Sequence, residues 1–131
     1  MTTLHGVLRQ PSESKAISMG PNIVTFLLSA EDTGGTYSLT SFTMAAPPSP
    51  GPPPHTHEAE TEVVYVLDGH VQLTLGDRSV QASTGAVLLV PKGTPHGVSN
   101  LGPGTATILV IISPPGLSSI GMKWPVCWPT A

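Results

Sequence analysis

Three histidines and one glutamate have the residue types and the spacing of a metal-binding site. His55 and His57 are two residues apart, and side chains two apart on a β-strand point to the same side, so both imidazoles can face one point. Glu62 follows after a short polar crossing, and His96 comes much later in the chain. Three imidazoles and one carboxylate suit a divalent first-row transition metal and can leave coordination positions open for a substrate.

A His-x-His pair alone is more often a polar surface pair than a metal site, so the prediction depends on the elements around it. Short β-strands are predicted at 22–28, 36–44, 62–67, 70–75, 79–82, 86–90, 96–99 and 105–112. Asp68-Gly69 predicts a hairpin turn between two of them, and the wholly apolar 86–90 segment predicts a buried strand. Many short strands separated by Gly and Pro are typical of a sandwich or barrel.

The segments outside this strand-rich region have less regular patterns. Residues 1–20 are predicted to form an arm or an edge strand, with strand exchange between subunits as one possibility. The prolines within 47–54 form a stiff extended segment that is expected to direct His55 and His57. In the tail, 114–131, Trp124 and Trp128 are expected to dock onto the barrel or a partner subunit.

Composition limits the class of protein. A chain of 131 residues fits one domain, here 1–131. Hydrophobic residues make up 39% and aromatic residues only 5%, which predicts a core mainly of Val, Leu and Ile. Charged residues are 10%, well below the usual quarter or so, and this favours self-association, with a homodimer as the expectation. The net charge of −3 argues against a nucleic-acid partner.

Location in the cell is predicted from what the sequence lacks. The single cysteine, Cys127, cannot form a disulfide within the chain. Residues 1–20 contain no uninterrupted apolar core of a secretory signal. The longest apolar run, 108–112, is too short to span a membrane. A cytoplasmic protein without a membrane partner is therefore expected.

Two motifs make the sequence resemble the cupin superfamily. The first is Gly, His-x-His, three or four residues, Glu, six residues and Gly, and it is matched at His55, His57, Glu62 and Gly69. The second is Gly, five residues, Pro-x-Gly, two residues, His, three residues and Asn, and it is matched at Gly85, Pro91, Gly93, His96 and Asn100. The motifs span 51–100, and they depart from the pattern only where Ser49 replaces the opening glycine, with Gly51 nearby.

The resemblance implies an all-β double-stranded β-helix, or jelly-roll barrel, formed by a single cupin domain. It also implies that a divalent transition metal is bound by His55, His57, Glu62 and His96. The ligand types do not determine which metal is bound, and Fe, Mn, Ni, Co, Cu and Zn all remain candidates. The chain also resembles the small single-domain cupins that are similar to quercetin dioxygenase, through segments such as Val-Pro-Lys-Gly-Thr-Pro-His. That similarity implies a hydroxylated, enolisable or aromatic small-molecule substrate, with Glu62 as both ligand and catalytic base.

Other interpretations stay open at this point. A non-redox isomerase, lyase or cyclase could use the same metal to polarise a carbonyl, and a ligand-binding cupin would use it without catalysis. Four further residues are expected to lie on the surface or in solvated loops: Glu58, Glu60, His70 and Arg78. His5, in the arm, is expected to take no part in the site.

Overall fold

The computed structural model describes residues 6–48 and 54–115. A single 3-10 turn, Pro11–Glu13, precedes the strands. The strands are β1 (Lys15–Met19), β2 (Asn22–Leu28), β3 (Ser38–Met44), β4 (Thr61–Asp68), β5 (His70–Leu75), β6 (Arg78–Ser83), β7 (Val87–Val90), β8 (His96–Asn100) and β9 (Ala106–Ser113). The described part contains no helix long and apolar enough to cross a membrane.

The strands form two antiparallel sheets. The larger sheet has the order β1-β2-β3-β9-β4-β7, and the smaller has the order β6-β5-β8. This arrangement confirms the predicted all-β jelly-roll class. The strand bounds agree with the predicted ones to within two residues, and β1 forms the predicted edge strand by pairing with β2 of its own chain.

The core lies on the inner faces of the two sheets. Strand alternation places Val64 and Val66 of β4 inward, while Val71 and Leu73 of β5 contribute from the smaller sheet. The expected aliphatic core is confirmed in the main, but both phenylalanines of the chain, Phe26 and Phe42, are also buried in it.

The predicted hairpin at Asp68-Gly69 is wrong. Strand β4 pairs with β7 and β9, whereas β5 pairs with β6 and β8, so the chain crosses from one sheet to the other at Gly69. A Cβ at Gly69 would lie 2.7 Å from the Cβ of Ala106, and the φ angle there is +107°. The glycine therefore allows close approach of two backbones at a corner. The turn at Gly76, by contrast, does join the hairpin strands β5 and β6.

The prediction of a buried strand at 86–90 is also wrong. Strand β7 lies at an edge of the larger sheet, and Val87 and Leu89 are 67% and 59% exposed. Only Val90 is fully buried, and Leu88 lines the interior. The segment is apolar throughout because both faces of the strand carry apolar side chains, but one of these faces is open to solvent.

Candidate metal centre

The structure brings His55, His57, Glu62 and His96 to one point. His55 and His57 lie just before β4, Glu62 is the second residue of β4, and His96 opens β8. One potential ligand atom from each side chain lies within 4.8 Å of all the others. This group can hold a metal ion, and it joins residues from both sheets.

Backbone hydrogen bonds hold the two histidine-bearing segments side by side. The N–H of His55 donates to the carbonyl of His96 over 3.0 Å, and the N–H of His96 donates back over 2.9 Å. The N–H of Gly93 donates to the carbonyl of His57 over 2.8 Å. Gly93 has a φ of +76°, which a side chain would strain, and it turns the loop between β7 and β8 towards the site.

The motif residue Asn100 has a structural role at the other end of β8. Its amide nitrogen donates to the carbonyls of Ala45 and Gly104 over 2.9 and 2.8 Å. Its side-chain oxygen accepts from the N–H of Gly102 over 2.9 Å. Asn100 thus fixes the loop between β8 and β9 to the end of β3, away from the metal-binding group.

The polar atoms at the centre are arranged as a cation requires. Nε2 of His57 and Nε2 of His96 lie 3.1 and 3.0 Å from the same carboxylate oxygen of Glu62. Nδ1 of His96 is 3.0 Å from the carbonyl of Thr94 and donates a hydrogen bond to it. In a neutral imidazole the other nitrogen, Nε2, then carries a lone pair, and this lone pair points to the centre of the group. Although Nε2 of His57 is close to Glu62, it is buried and makes no geometrically sound hydrogen bond within 6–48 and 54–115. A metal ion would satisfy that atom, so these residues fit the ion that the fold implies.

Burial and the neighbouring imidazoles determine the charge on Glu62. Burial alone raises the pKa of this carboxyl, but its contacts with His57 and His96 overcome that effect and lower the pKa to about 2. For His96, burial lowers the pKa, but the contacts with Glu62 and Thr94 prevail and raise it. In the absence of a metal, Glu62 is therefore ionised over the physiological range and favours a proton on His96.

Glu60 does not lie in solvent, contrary to the prediction. It is 5% exposed, and one carboxylate oxygen lies 3.7 Å from Nδ1 of His57. At this distance the carboxylate makes no hydrogen bond, but its charge favours the tautomer of His57 with hydrogen on Nδ1, which leaves the lone pair of Nε2 facing the centre. One signal in the sequence could have identified Glu60. It is two residues from Glu62, and residues two apart in an extended segment point to the same side. Glu58, His70 and Arg78 are exposed, as predicted.

The metal-binding group forms one wall of a partly open cavity of about 60 Å³ between the sheets. The rest of the described lining is aliphatic side chains, Phe26 and Phe42, and two hydroxyl-bearing residues, Ser38 and Thr40. No Lys or Arg is among these lining residues. The cavity therefore favours a small ligand with little charge of its own. His5, Ser49, Gly51, Trp124, Cys127 and Trp128 lie outside the described residues.

Comparison with known sequences gives a family match over more than half of the chain. Residues 42–112 match the model of the cupin domain. A germin-like protein of Arabidopsis thaliana, subfamily 2 member 1, is 37% identical over 76 residues, which are 53% of this chain and 35% of that protein. The chain spans about half or less of the length of the curated relatives it matches.

Solved structures with the same fold include proteins described as enzymes. A predicted oxalate decarboxylase from Thermotoga maritima superposes with a TM-score of 0.73 and 24% identity, covering 82% of this chain and 98% of that one. Hydroxypropylphosphonic acid epoxidase from S. wedmorenis gives a TM-score of 0.69 and 18% identity, covering 81% of this chain and 58% of that one. At these identities the likeness concerns the fold.

Proposed function

Because the chain belongs to the cupin family, we propose that it is a metal-dependent enzyme for a small molecule, with dioxygenase-like chemistry on a hydroxylated, enolisable or aromatic substrate. One observation carries the proposal: the group of three imidazoles and a carboxylate forms a wall of an otherwise apolar cavity. Such a cavity can desolvate a substrate next to an open metal position.

His55, His57, Glu62 and His96 are the proposed ligands. The candidate metals are Fe, Mn, Ni, Co, Cu and Zn, since mixed imidazole and carboxylate ligands accept all of them. When bound, the ion supplies Lewis acidity towards a substrate oxygen and, if it is redox-active, a route for electrons to dioxygen. The ring contacts with Glu60 and Thr94 orient two of the imidazoles for this task.

The cavity lining is compatible both with oxygen chemistry and with a non-redox isomerase or lyase. Either reaction needs a base for the substrate proton, and in the described lining only the proposed ligands can supply one. The fold neighbours include an epoxidase and a predicted oxalate decarboxylase, and one fold hosts many reactions, so the use of oxygen is the measurement that separates the two classes.

Glu62 is proposed as the base that takes the proton of the substrate hydroxyl. In the metal-free protein its contacts with His57 and His96 lower its pKa to about 2, and a bound cation would also hold it ionised, so in either state it is a weak base. Proton transfer therefore requires its carboxylate to turn away from at least one imidazole as the substrate enters. That movement raises the pKa of the carboxylate, because burial raises the pKa and the contacts with the imidazoles that lower it are then fewer.

Size restricts the part of the substrate that the cavity can enclose. A cavity of about 150 Å³ is the scale that holds benzene, whereas this one has about 60 Å³. The enclosed part of the substrate is then its reacting oxygen-bearing end. A larger aromatic portion would extend through the open side of the cavity.

The test combines metal analysis of the purified protein with oxygen uptake on a panel of enolisable phenols and diketones. No reductant is added, because a dioxygenase substrate itself supplies the electrons. Oxygen uptake by the wild type that is lost in Glu62→Gln, and kept in the exposed neighbour Glu58→Gln, is the expected result. Turnover without oxygen would instead select the isomerase, lyase or cyclase class, and tight ligand binding without turnover would select a binding protein.

A homodimer is proposed as the assembly. The outer face of the larger sheet presents four exposed apolar residues on two neighbouring strands: Tyr65, Leu67, Val87 and Leu89. Tyr65 and Val87 are directly paired across β4 and β7, so these side chains form one continuous patch. A patch of this kind is typical of a protein interface, and a second copy of the chain would cover it with an identical apolar surface.

A further inference from the structure

Two hydroxyl groups of β3 line the cavity and make no hydrogen bond with any residue that the structure describes. Ser38 is 3% exposed and Thr40 is half-buried, and alternation puts both on the cavity side of the strand together with Phe42. Within 6–48 and 54–115, neither hydroxyl makes a hydrogen bond with another residue. Both hydroxyls face the cavity, so no described group depends on them for a hydrogen bond, and an alanine or valine would pack there equally well.

The strand register places these hydroxyls on the same cavity wall as Glu62, two strands away from it. Ser38 pairs with Ile112 of β9, and Ile112 pairs with Glu62 of β4. Ser38 and Glu62 therefore lie in the same row, two strands apart, which is about 10 Å between backbones at the usual strand spacing. Thr40 lies two residues further along β3, opposite Val110. A ligand of a few atoms can reach from the metal-binding group to these hydroxyls.

We propose that Ser38 and Thr40 bind a hydrogen-bonding group of the substrate at the end remote from its metal-binding oxygen, an inference that rests on the proposed function. This group is uncharged, for example a hydroxyl or a carbonyl. Hydroxyls can both donate to it and accept from it, whereas a carboxylate there would lack a cationic partner, because no Lys or Arg is in the described lining. The substrate thus has oxygen groups at both ends of a short apolar span.

The first measurement asks whether the hydroxyls serve the fold. Ser38→Ala and Thr40→Val are compared by thermal unfolding of the metal-free protein with Thr43→Val, on the opposite face of the same strand. The hydroxyl of Thr43 is 3.1 Å from that of Thr107, so its loss is expected to lower the melting temperature. The two cavity variants are expected to melt close to the wild-type temperature, because no described group loses a hydrogen bond. A fall equal to that of Thr43→Val would overturn the proposal.

The second measurement asks whether the hydroxyls select a ligand. Visible spectra of the cobalt-loaded protein report the affinity for three hydroxamates: butanohydroxamate, 3-hydroxypropanohydroxamate and succinohydroxamate. They share one chelating end and carry a methyl, a hydroxyl or a carboxylate at the other. The wild type is expected to prefer the hydroxyl compound over the methyl compound by about three- to tenfold, with the carboxylate compound weakest.

The variants separate this inference from the proposed function. The double substitution Ser38→Ala with Thr40→Val is expected to abolish the preference, while Ser41→Ala, on the outer face of the same strand, keeps it. A preference that survives the double substitution, or none in the wild type, overturns the inference alone. If cobalt binds but no hydroxamate alters its spectrum, the proposed contact between substrate and metal fails, and the unfolding data still decide whether the hydroxyls are structural.

Discussion

His55 and His96 pair through their backbones, the N–H of each donating to the carbonyl of the other over 3.0 and 2.9 Å. Two segments from distant parts of the sequence are thereby fixed in register before any ion binds. Together with the bond from Gly93 to His57, this pairing reduces the conformational freedom that would be lost on metal binding. The site is preorganised by main-chain contacts, and its side chains determine the chemistry.

The metal-free protein should be most stable between about pH 4.5 and 6.5. The pKa of Glu62 is lowered to about 2, so its contribution is present above the unfolded value near 4.3 and is lost as the pH falls towards 2. The pKa of His96 is raised, so its contribution is complete below about 6.5 and is lost as the pH rises through the folded value. Melting temperatures from pH 3 to 9 in a chelator test this, and a steady rise from pH 5.5 to 8.5 would contradict it.

Added zinc should change that profile. Metal binding needs neutral imidazoles, so protons compete with the ion, and the affinity should rise with pH over the range in which the metal-free protein loses stability. The difference in melting temperature between the zinc-loaded and metal-free forms is therefore expected to grow from pH 5.5 to 8. His57→Gln should greatly reduce this difference, whereas His70→Gln, at an exposed position, should not alter it. A pH-independent difference would argue against histidine ligands.

Glu60→Gln is expected to weaken metal binding by about tenfold, the lower end of the range for partners of a ligand. The carboxylate of Glu60 lies 3.7 Å from Nδ1 of His57, and a neutral amide would stabilise the metal-bound ring less. Competition with a chromogenic zinc chelator measures the loss. The matched control is Glu58→Gln, an exposed residue with the same change of charge. Equal losses in the two variants would show a long-range charge effect instead of orientation of His57.

Gly69→Ala is expected to lower the free energy of unfolding by about 2–5 kcal/mol, from backbone strain and overpacking together. The added methyl would lie 2.7 Å from the side chain of Ala106 and 2.8 Å from its Cα. Gly76→Ala is the control, because Gly76 also has a positive φ but open space around it, and it should cost only about 1 kcal/mol. Urea unfolding measures both values, and equal costs would contradict the close approach at the corner.

Leu89→Lys is expected to convert the proposed dimer into a monomer. Leu89 is 59% exposed in the apolar patch, so a lysine harms an interface but not the core. Val80→Lys, at an exposed position of β6 in the smaller sheet, is the control and should stay dimeric. Light scattering coupled to size exclusion gives the mass directly. A wild-type monomer would refute the assembly and leave the metal site unaffected.

Period-two alternation, a local signal, predicted the strands, and the spacing of His55 and His57 predicted that their two side chains share a side. That His96 joins them was predicted from the resemblance to the cupin motifs. Prediction from local sequence failed where the pairing of strands distant in the sequence determines the path of the chain or the exposure of a side chain. Asp68-Gly69 carries a hairpin signal, yet the pairing of β4 with β9 takes the chain across to the other sheet. The exposure of Val87 follows from the edge position of β7, and the role of Ser38 follows from the placement of β3 beside β9. The sequence near β7 or β3 does not reveal which strands lie beside them in the sheet.

The corner at Gly69 has a consequence for how a substrate enters. It joins β4, which carries Glu62, directly to β5, which pairs with the strand that begins at His96. Because this link is short and closely packed, it holds the two sheets together at the end of β4 opposite to Glu62. A substrate is therefore expected to enter at the open side of the cavity, through rearrangement of side chains and connecting segments there, and not by separation of the sheets at this corner.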